Sequence, residues 1–300
     1  MKHLKPTTGR RGLFAAAMLA AALAITACAP DPGTPDTTRA VQNATFEWTI
    51  SREADKGAYN GQVNYWSAGQ SDSTQATYVP TDGNVTVLKR NSAGGFVPIG
   101  ADASVSWANK HKDGSGNVVT AFNAFHLGQK VRYANGTGTV NTATGAATIR
   151  WTGTFSVNFY GQLVPFWITD PTLTVDAGGA ARITATMGGF ASSQENPEVR
   201  VPLTPRSGVV IAEFANVYAG GSATTGWTSP TRFLGTTVTT TGAPQVAKST
   251  ANAAHWGAWP QSFVDFQSAT GLGDYWYSSG GAADARKPQD PVTVSYTLAD

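Results

Sequence analysis

The chain has 300 residues but only one cysteine, Cys28, and only 13% of its residues are charged. With a single thiol the chain can form no disulfide within itself and can offer no site built from several thiolate ligands. Histidine is also scarce, because beyond His3 the sequence contains only His111, His126 and His255, which are widely separated. The stability of the fold must therefore come from a packed core, and the sequence offers no cluster of histidine ligands for a metal.

Catalytic motifs are lacking as well. The sequence contains no Gly-x-Ser-x-Gly turn, no His-Glu-x-x-His pair, no P-loop and no glycine-rich turn placed between a strand and a helix. Aspartate and glutamate residues are few and scattered, so no carboxylate pair is spaced for acid–base chemistry. These absences indicate a protein that is not an enzyme.

The N-terminal segment predicts export. Residues 1–27 carry Lys2, Lys5, Arg10 and Arg11 and no acidic residue, and an alanine-rich apolar run occupies residues 13–25. A basic region followed by an apolar region is typical of a signal peptide, and this run is too short for a comfortable membrane span. We therefore assign residues 1–27 to a signal peptide and exclude them from the folded protein.

The signal peptide ends in Ile25-Thr26-Ala27-Cys28, which resembles the lipobox of bacterial lipoproteins. The resemblance implies that a diacylglyceride is attached to the Cys28 thiol and tethers the protein to the outside of the cytoplasmic membrane. Two acyl chains, at about 0.8 kcal/mol per buried CH₂ group, make a stable anchor where one chain is marginal. The alternative is an ordinary cleaved signal peptide, which would make the protein secreted.

Removal of the signal peptide changes the charge of the protein. Lysine and arginine fall from 21 to 17 against 19 acidic residues, which gives the mature chain a net charge of −2. A chain near neutrality with scattered basic residues has no electrostatic footprint for nucleic acid. Residues 28–44 are polar and proline-rich, so we predict a tether there and a single domain over residues 45–300.

The sequence from Thr45 onward predicts a mainly β domain. Short segments place threonine, valine and aromatic residues at every second position, and turn residues separate them. Hairpins are indicated at residues 81–84 and at Thr144-Gly145. This pattern is typical of an antiparallel β-sandwich or barrel. The predicted strands include residues 46–50, 85–88, 104–107, 147–151, 155–159, 173–175 and 182–186.

One segment near the C-terminus has a helical period instead. Trp259, Phe263 and Phe266 are spaced for one face of a helix, Pro260 suits its first turn, and Gly271 follows as a stop. We predict a short helix here, with its aromatic face on the sheet.

Two stretches of the sequence resemble a known family. The first runs from Trp151 through Phe159-Tyr160-Gly161 to Asp170-Pro171, and the second comprises residues 263–266, 277–280 and 290–294. In order and spacing these segments resemble the HtaA domain family of cell-surface haem-binding domains. The resemblance covers roughly Thr45 to Thr297. It implies a domain that holds haem through a tyrosine, with a histidine close to the phenol.

The resemblance also implies candidate site residues. Tyr59 is nearest to the position of the family's tyrosine ligand, with Tyr65 as its rival, and Tyr277 matches the second family tyrosine as part of the pocket wall. The family's histidine falls on Tyr160, which either supports or ligates iron in its place or marks a domain that has kept the fold and lost the haem. His126 could compensate only if folding brings it to the same pocket.

Two functional hypotheses follow. The first is a lipid-anchored surface protein that binds haem for iron acquisition, with components of a haem-uptake transporter or other haem-binding surface proteins as partners. The alternative is a non-haem module that binds cell-wall polysaccharide or protein through exposed aromatic side chains, which nine tryptophans would favour. Each candidate tyrosine has a plain structural interpretation too, as a core or sheet-face residue.

Overall fold

The computed structural model describes residues 37–58, 61–161, 163–193, 196 and 199–299, so Cys28 and Tyr59 lie outside the described residues. Thr37–Asp300 forms a compact unit. Its described residues contain fourteen β-strands and one α-helix. The strands are β1 (Thr38–Trp48), β2 (Tyr65–Ala68), β3 (Thr81–Asp82), β4 (Val85–Arg90), β5 (Phe96–Pro98), β6 (Gln129–Asn141), β7 (Ala147–Arg150), β8 (Thr154–Phe159), β9 (Val164–Val175), β10 (Ala181–Ala191), β11 (Val201–Phe214), β12 (Gly221–Ser222), β13 (Gly226–Ser229) and β14 (Val292–Leu298).

All fourteen strands belong to one hydrogen-bonded antiparallel sheet. Its longest path runs β11-β10-β9-β7-β6-β1-β14-β13-β12. The alternating sequence produces this sheet because successive side chains of a strand point to opposite faces, as the buried residues of β6 and β10 show. The prediction of a mainly β, antiparallel fold is confirmed, and the strands share a single sheet rather than two.

The sheet divides into two arms where β7 ends. β7 lies between the C-terminal halves of β6 and β9, whereas the N-terminal half of β6 pairs with β4 and that of β9 pairs with β8. The hydroxyl of Tyr133 on β6 donates to the carbonyl of Ile168 on β9 across 2.8 Å. The Tyr133 ring also stacks on Phe46, with ring centroids 5.6 Å apart. A buried hydrogen bond therefore connects the two strands at the point where they separate.

The predicted helix is confirmed as α1 (Gln261–Thr270). Trp259, immediately before it, stacks on Phe263 at 4.6 Å and meets Trp276 edge-on at 4.7 Å. Trp48 on β1 lies 5.5 Å from Trp259, so the aromatic face of the helix packs on the sheet. Gly271 ends the helix with φ +91°, a conformation that favours glycine. Among the described residues no helix is long and apolar enough to cross a membrane.

The segment after α1 is organised by a buried lysine. Lys287 is only 3% exposed, and its ammonium donates to the carbonyls of Asp274 and Tyr277, to the Ser279 hydroxyl and to the Asp284 carboxylate, at 2.6 to 2.9 Å. A buried ammonium is tolerated only when acceptors surround it. Residues 274–287, which contain no strand, therefore fold around this one cation.

Two sequence expectations are corrected. β1 begins at Thr38, so residues 38–44 are strand rather than tether, because their backbones pair with β6 and β14. Residues 104–107, expected as a strand, lie in two short 3₁₀ turns. The first turn forms because the Asp102 side chain accepts the Ser104 N–H at 2.8 Å. The hairpins at residues 81–84 and at Thr144-Gly145 are confirmed.

The Tyr133 bridge gives a testable prediction for stability. Tyr133→Phe keeps the buried ring and removes only the donor to the Ile168 carbonyl. We expect the free energy of unfolding to fall by about 0.5–1.5 kcal/mol, which is the usual net contribution of one intramolecular hydrogen bond. Urea unfolding followed by tryptophan fluorescence measures this, and an unchanged free energy would show that the bridge contributes nothing.

Candidate functional site beside Tyr160

The loop from Ser51 to Ala58 is fixed by three charged side chains. Glu53 accepts from Arg286 Nε at 2.7 Å, which joins the loop to the segment after α1. Asp55 accepts the backbone N–H groups of Gly128 and Gln129 at 2.9 and 3.0 Å. Burial raises the pKa of Asp55 to about 6, although the hydrogen bonds from Gln129 and Gly128 oppose the shift.

Lys56 supplies the third attachment of this loop. Its side chain is buried and donates to the carbonyl of Phe125 at 2.7 Å and to that of Asn123. Burial lowers the pKa of Lys56, and the positive charge of Arg286 adds to this effect. The loop is thus tied to the 118–126 segment and to the segment after α1, and the chain continues from Ala58 directly into Tyr59.

Tyr160 lies in the turn between β8 and β9. Both Tyr160 and Gly161 have left-handed backbones, with φ of +51° and +69°. For a tyrosine this conformation costs about 1–2 kcal/mol, so the surroundings must hold it. The Tyr160 N–H donates to Asn64 Oδ1 at 3.0 Å, and Asn64 Nδ2 in turn donates to the Glu53 carbonyl at 2.9 Å. Asn64 therefore ties the strained turn to the Ser51–Ala58 loop.

These elements enclose a cleft of about 260 Å³, which we call the Tyr160 cleft. Tyr160 and Tyr275 meet edge-on in it, with ring centroids 5.8 Å apart. Phe122 lies at its rim and is 82% exposed. The lining residues are Glu53, Gly57, Ala58, Asn64, Ala121, Phe122, Tyr160, Asp274, Tyr275, Ser279, Gly281, Ala282, Ala283, Arg286 and Lys287.

Each cation that lines the cleft is paired with a carboxylate. Arg286 is paired with Glu53, and Lys287 with Asp284 at 2.6 Å. Burial would raise the pKa of Asp284, but the hydrogen bond and charge of Lys287 outweigh it and lower that pKa. The Lys287 ammonium donates to the Ser279 hydroxyl at 2.8 Å and to the Asp284 carboxylate at 2.6 Å. Lys287 therefore holds Ser279 and Asp284 in place as a hydrogen-bond donor.

His126 lies outside the set of residues that line the cleft. Its Nε2 accepts from Arg52, with Nη2 at 2.9 Å. Burial lowers the pKa of His126 from 6.5 to about 4, and the charges of Arg52 and Lys56 add to this effect. The imidazole is therefore neutral at physiological pH and is held as an acceptor for Arg52.

Tyr65 and Tyr277 lie elsewhere in the core. The Tyr65 hydroxyl donates to the Ser73 carbonyl at 2.7 Å, and burial raises its pKa well above the ordinary value. The Tyr277 hydroxyl donates to the Ala243 carbonyl at 2.5 Å, and its ring lines a separate cavity next to residues 241–243. Burial also raises the pKa of Tyr277, and the negative charge of Asp274 adds to the shift. Both phenols are therefore neutral, and each donates its proton to a backbone carbonyl.

Of the candidate residues that the structure describes, only Tyr160 lines the cleft. Sequence reasoning missed Tyr275, Phe122 and Arg286. A signal existed for Tyr275, because it belongs to the aromatic run Tyr275-Trp276-Tyr277. No local signal could reveal Arg286, since its partner Glu53 is 233 residues away. Among the described residues no group of three or more His, Cys, Asp or Glu side chains could hold a metal ion.

Among the comparisons with known proteins, only the comparison of folds gives matches. No family model matches the sequence, and no curated protein matches it. The chain is similar to the C-terminal domain of HtaA from Corynebacterium glutamicum, with a TM-score of 0.43 and 11% identity over 87% of this chain and 99% of that domain. The N-terminal domain of the same protein gives a TM-score of 0.36, with the same identity and coverage. Both solved structures are domains of the family that the sequence motifs resemble.

The environment of His126 predicts a pH effect on stability. Its pKa is lower in the folded chain than in the unfolded chain, so the unfolded chain binds more protons between pH 6.5 and about 4. Stability from this group is therefore present above pH 6.5 and is lost as the pH falls through about 4. His126→Gln keeps an acceptor for Arg52 and removes the titration. Urea unfolding at several pH values should show a smaller acid loss for the variant, and parallel profiles would refute the assignment.

Proposed function

We propose that the protein binds haem in the Tyr160 cleft. The observation that carries this proposal is the convergence there of two phenols, Tyr160 and Tyr275, with the guanidinium of Arg286 and the aromatic rim of Phe122. A phenolate is a hard anionic oxygen donor, which suits ferric iron. The motif resemblance to haem-binding domains points to the same ligand.

The residues present fit the group. Ala58, Ala121 and the alanines at 282–283 provide apolar wall, and Phe122 can lie along a porphyrin face. Arg286 could offer its remaining N–H donors to a propionate, because the contact with Glu53 uses Nε. A cation near a phenol also favours the phenolate that ligates iron. Bound haem would supply a ferric centre to be carried, and the chain's own part would be to hold it.

The size of the cleft suggests partial enclosure. Its volume of about 260 Å³ is slightly below the usual range of ligand pockets, about 300–1,000 Å³. A porphyrin would therefore leave one edge outside, over the exposed Phe122. We assign the iron ligand to Tyr59 or Tyr160, since Tyr59 directly follows the cleft residue Ala58 in the chain.

Titration with ferric haem tests the proposal. Residues 29–300 should give a Soret band distinct from that of free haem, because tyrosinate ligation changes the electronic state of the iron. Tyr59→Phe or Tyr160→Phe should abolish the charge-transfer bands of the ligating tyrosinate, and loss of the ligand should weaken haem binding at least about tenfold.

Tyr277→Phe is the matched control for this titration. Its phenol is bonded to the Ala243 carbonyl and lines a separate cavity, so the haem spectrum should match that of the unaltered protein. A free-haem spectrum with the unaltered protein would remove the haem proposal. A bound spectrum that neither Tyr59→Phe nor Tyr160→Phe changes would keep haem binding and overturn the ligand assignment.

The tryptophans do not support the polysaccharide alternative. Seven of the nine tryptophans are buried in the core: Trp48, Trp66, Trp151, Trp227, Trp256, Trp259 and Trp276. Trp107 and Trp167 are partly exposed. Because sugar stacking needs an open aromatic face, the tryptophans offer little surface for a glycan.

We also propose that the protein is anchored to the outer side of the membrane through a lipid on Cys28 and takes part in haem-iron acquisition. The lipobox-like end of the signal peptide supports the anchor. Haem-uptake components or other haem-binding surface proteins are the partners that fit this role. Anchoring would keep a partly enclosed haem within reach of such partners.

The anchor is testable by mass. Protein extracted from the membrane fraction should begin at Cys28 and carry the mass of a diacylglyceride on its first residue. Cys28→Ala removes the thiol that would carry the lipid, so protein cleaved from its signal peptide should move to the soluble fraction or the medium, because it has no acyl chains. An unmodified Cys28 thiol, or a mature terminus elsewhere, would contradict the proposal.

A further inference from the structure

The segment from Lys110 to His126 presents apolar side chains to solvent. Val118 is 49% exposed, Phe122 82% and Phe125 42%. Single exposed apolar residues are ordinary, but three on one short segment form a patch. We call residues 110–126, together with Arg52, the 110–126 surface.

Hydrogen bonds hold this surface in shape. Residues 111–119 form a hairpin closed by their own backbones. Asn123 Nδ2 then donates to the Val118 carbonyl at 2.7 Å, and the buried Lys56 donates to the Phe125 carbonyl at 2.7 Å. The apolar side chains are therefore presented by a built loop, and no collapse of the loop covers them.

The charges around the patch are basic. Lys110, Lys112 and Arg52 contribute positive charge, whereas Asp113 is the single carboxylate within residues 110–126. That carboxylate is engaged by Asn117 Nδ2 at 2.9 Å and by backbone N–H groups of its own turn. Arg52 is joined to the surface through His126, 2.9 Å away.

The lowered pKa of His111 is consistent with a positive potential at this surface. Burial lowers the pKa of His111, and the charges of Lys110, Lys112 and Lys89 lower it further. The donors to Asp113 are neutral and leave its charge in place, but Lys110, Lys112 and Arg52 outnumber this one carboxylate, so the field around the patch is positive.

We propose that the 110–126 surface binds an anionic lipid bilayer, with its exposed apolar side chains entering the headgroup region and its basic side chains contacting lipid phosphates. A bilayer interface offers both an apolar layer and a plane of negative charge, which matches exposed phenylalanines flanked by lysine and arginine. The charge complementarity selects this occupant over a neutral membrane.

Vesicle sedimentation tests the proposal. The protein used is residues 29–300, which carries no signal peptide and contains the compact unit Thr37–Asp300. It should sediment with mixed phosphatidylcholine–phosphatidylglycerol vesicles, much less with phosphatidylcholine alone, and less in high salt. Lys112→Glu should weaken binding at least about fivefold. The double variant Val118→Ser with Phe125→Ser should weaken it at least about tenfold.

Matched controls separate this surface from general effects. Leu234→Ser removes an apolar side chain that is 60% exposed, and Lys248→Glu reverses an exposed charge, both outside the surface. Both should sediment like the unaltered protein, and a thermal melt of each variant confirms folding. Equal losses in controls and surface variants, equal binding to neutral vesicles, or no binding to either vesicle would overturn the proposal. An acidic protein partner would then be the occupant to consider.

The outcome is distinguishable from that of the haem titration. Lys112, Val118 and Phe125 are not among the described residues that line the Tyr160 cleft. Their variants should therefore leave the haem spectrum unchanged, whichever way the vesicle experiment turns out.

Discussion

The buried ammonium of Lys287 is the interaction on which the site depends. Its four acceptors come from residues 274–284, and the Asp284 carboxylate that balances its charge also accepts the backbone N–H groups of Ser279 and Gly280. Removing one partner of a buried ion pair typically costs about 3–5 kcal/mol, because the other charge is left without compensation. Tyr275 and Arg286 lie on the segment that this cation organises, so the pair supports one wall of the cleft.

The opposite wall depends on polar links between segments that are distant in the chain. Asn64 receives the N–H of the left-handed Tyr160 and donates to the Glu53 carbonyl, while Glu53 receives Arg286. Each link satisfies a polar group that the cleft would otherwise leave without a partner in a partly buried position. The strain at Tyr160 is thus held by the same chain of contacts that closes the cleft, which connects the turn geometry to the placement of a phenol.

Local features of the fold could be predicted from the sequence, and long-range ones could not. The helix at Gln261–Thr270 and the hairpin at Thr81–Asn84 depend on neighbouring residues, so period and turn chemistry identify them. Residues 104–107 have the alternation of a strand, but the side chain of Asp102 captures the backbone for a 3₁₀ turn. In the candidate site, Tyr160 was identified through a motif. Arg286 was not, because its partner Glu53 is 233 residues away in the sequence.

Phe122 joins the two surfaces proposed for this protein, and its position has a consequence for both. It lines the Tyr160 cleft and also belongs to the 110–126 surface, with 82% of its area exposed. Full burial of such a side chain is favourable by about 1.5–3 kcal/mol, so a ligand or bilayer that covers part of Phe122 gains a share of that amount. Covering it from the bilayer side would leave less of it for a porphyrin edge. The two partners would then compete for the same rim, and a bound bilayer would weaken the hold of the cleft on its ligand.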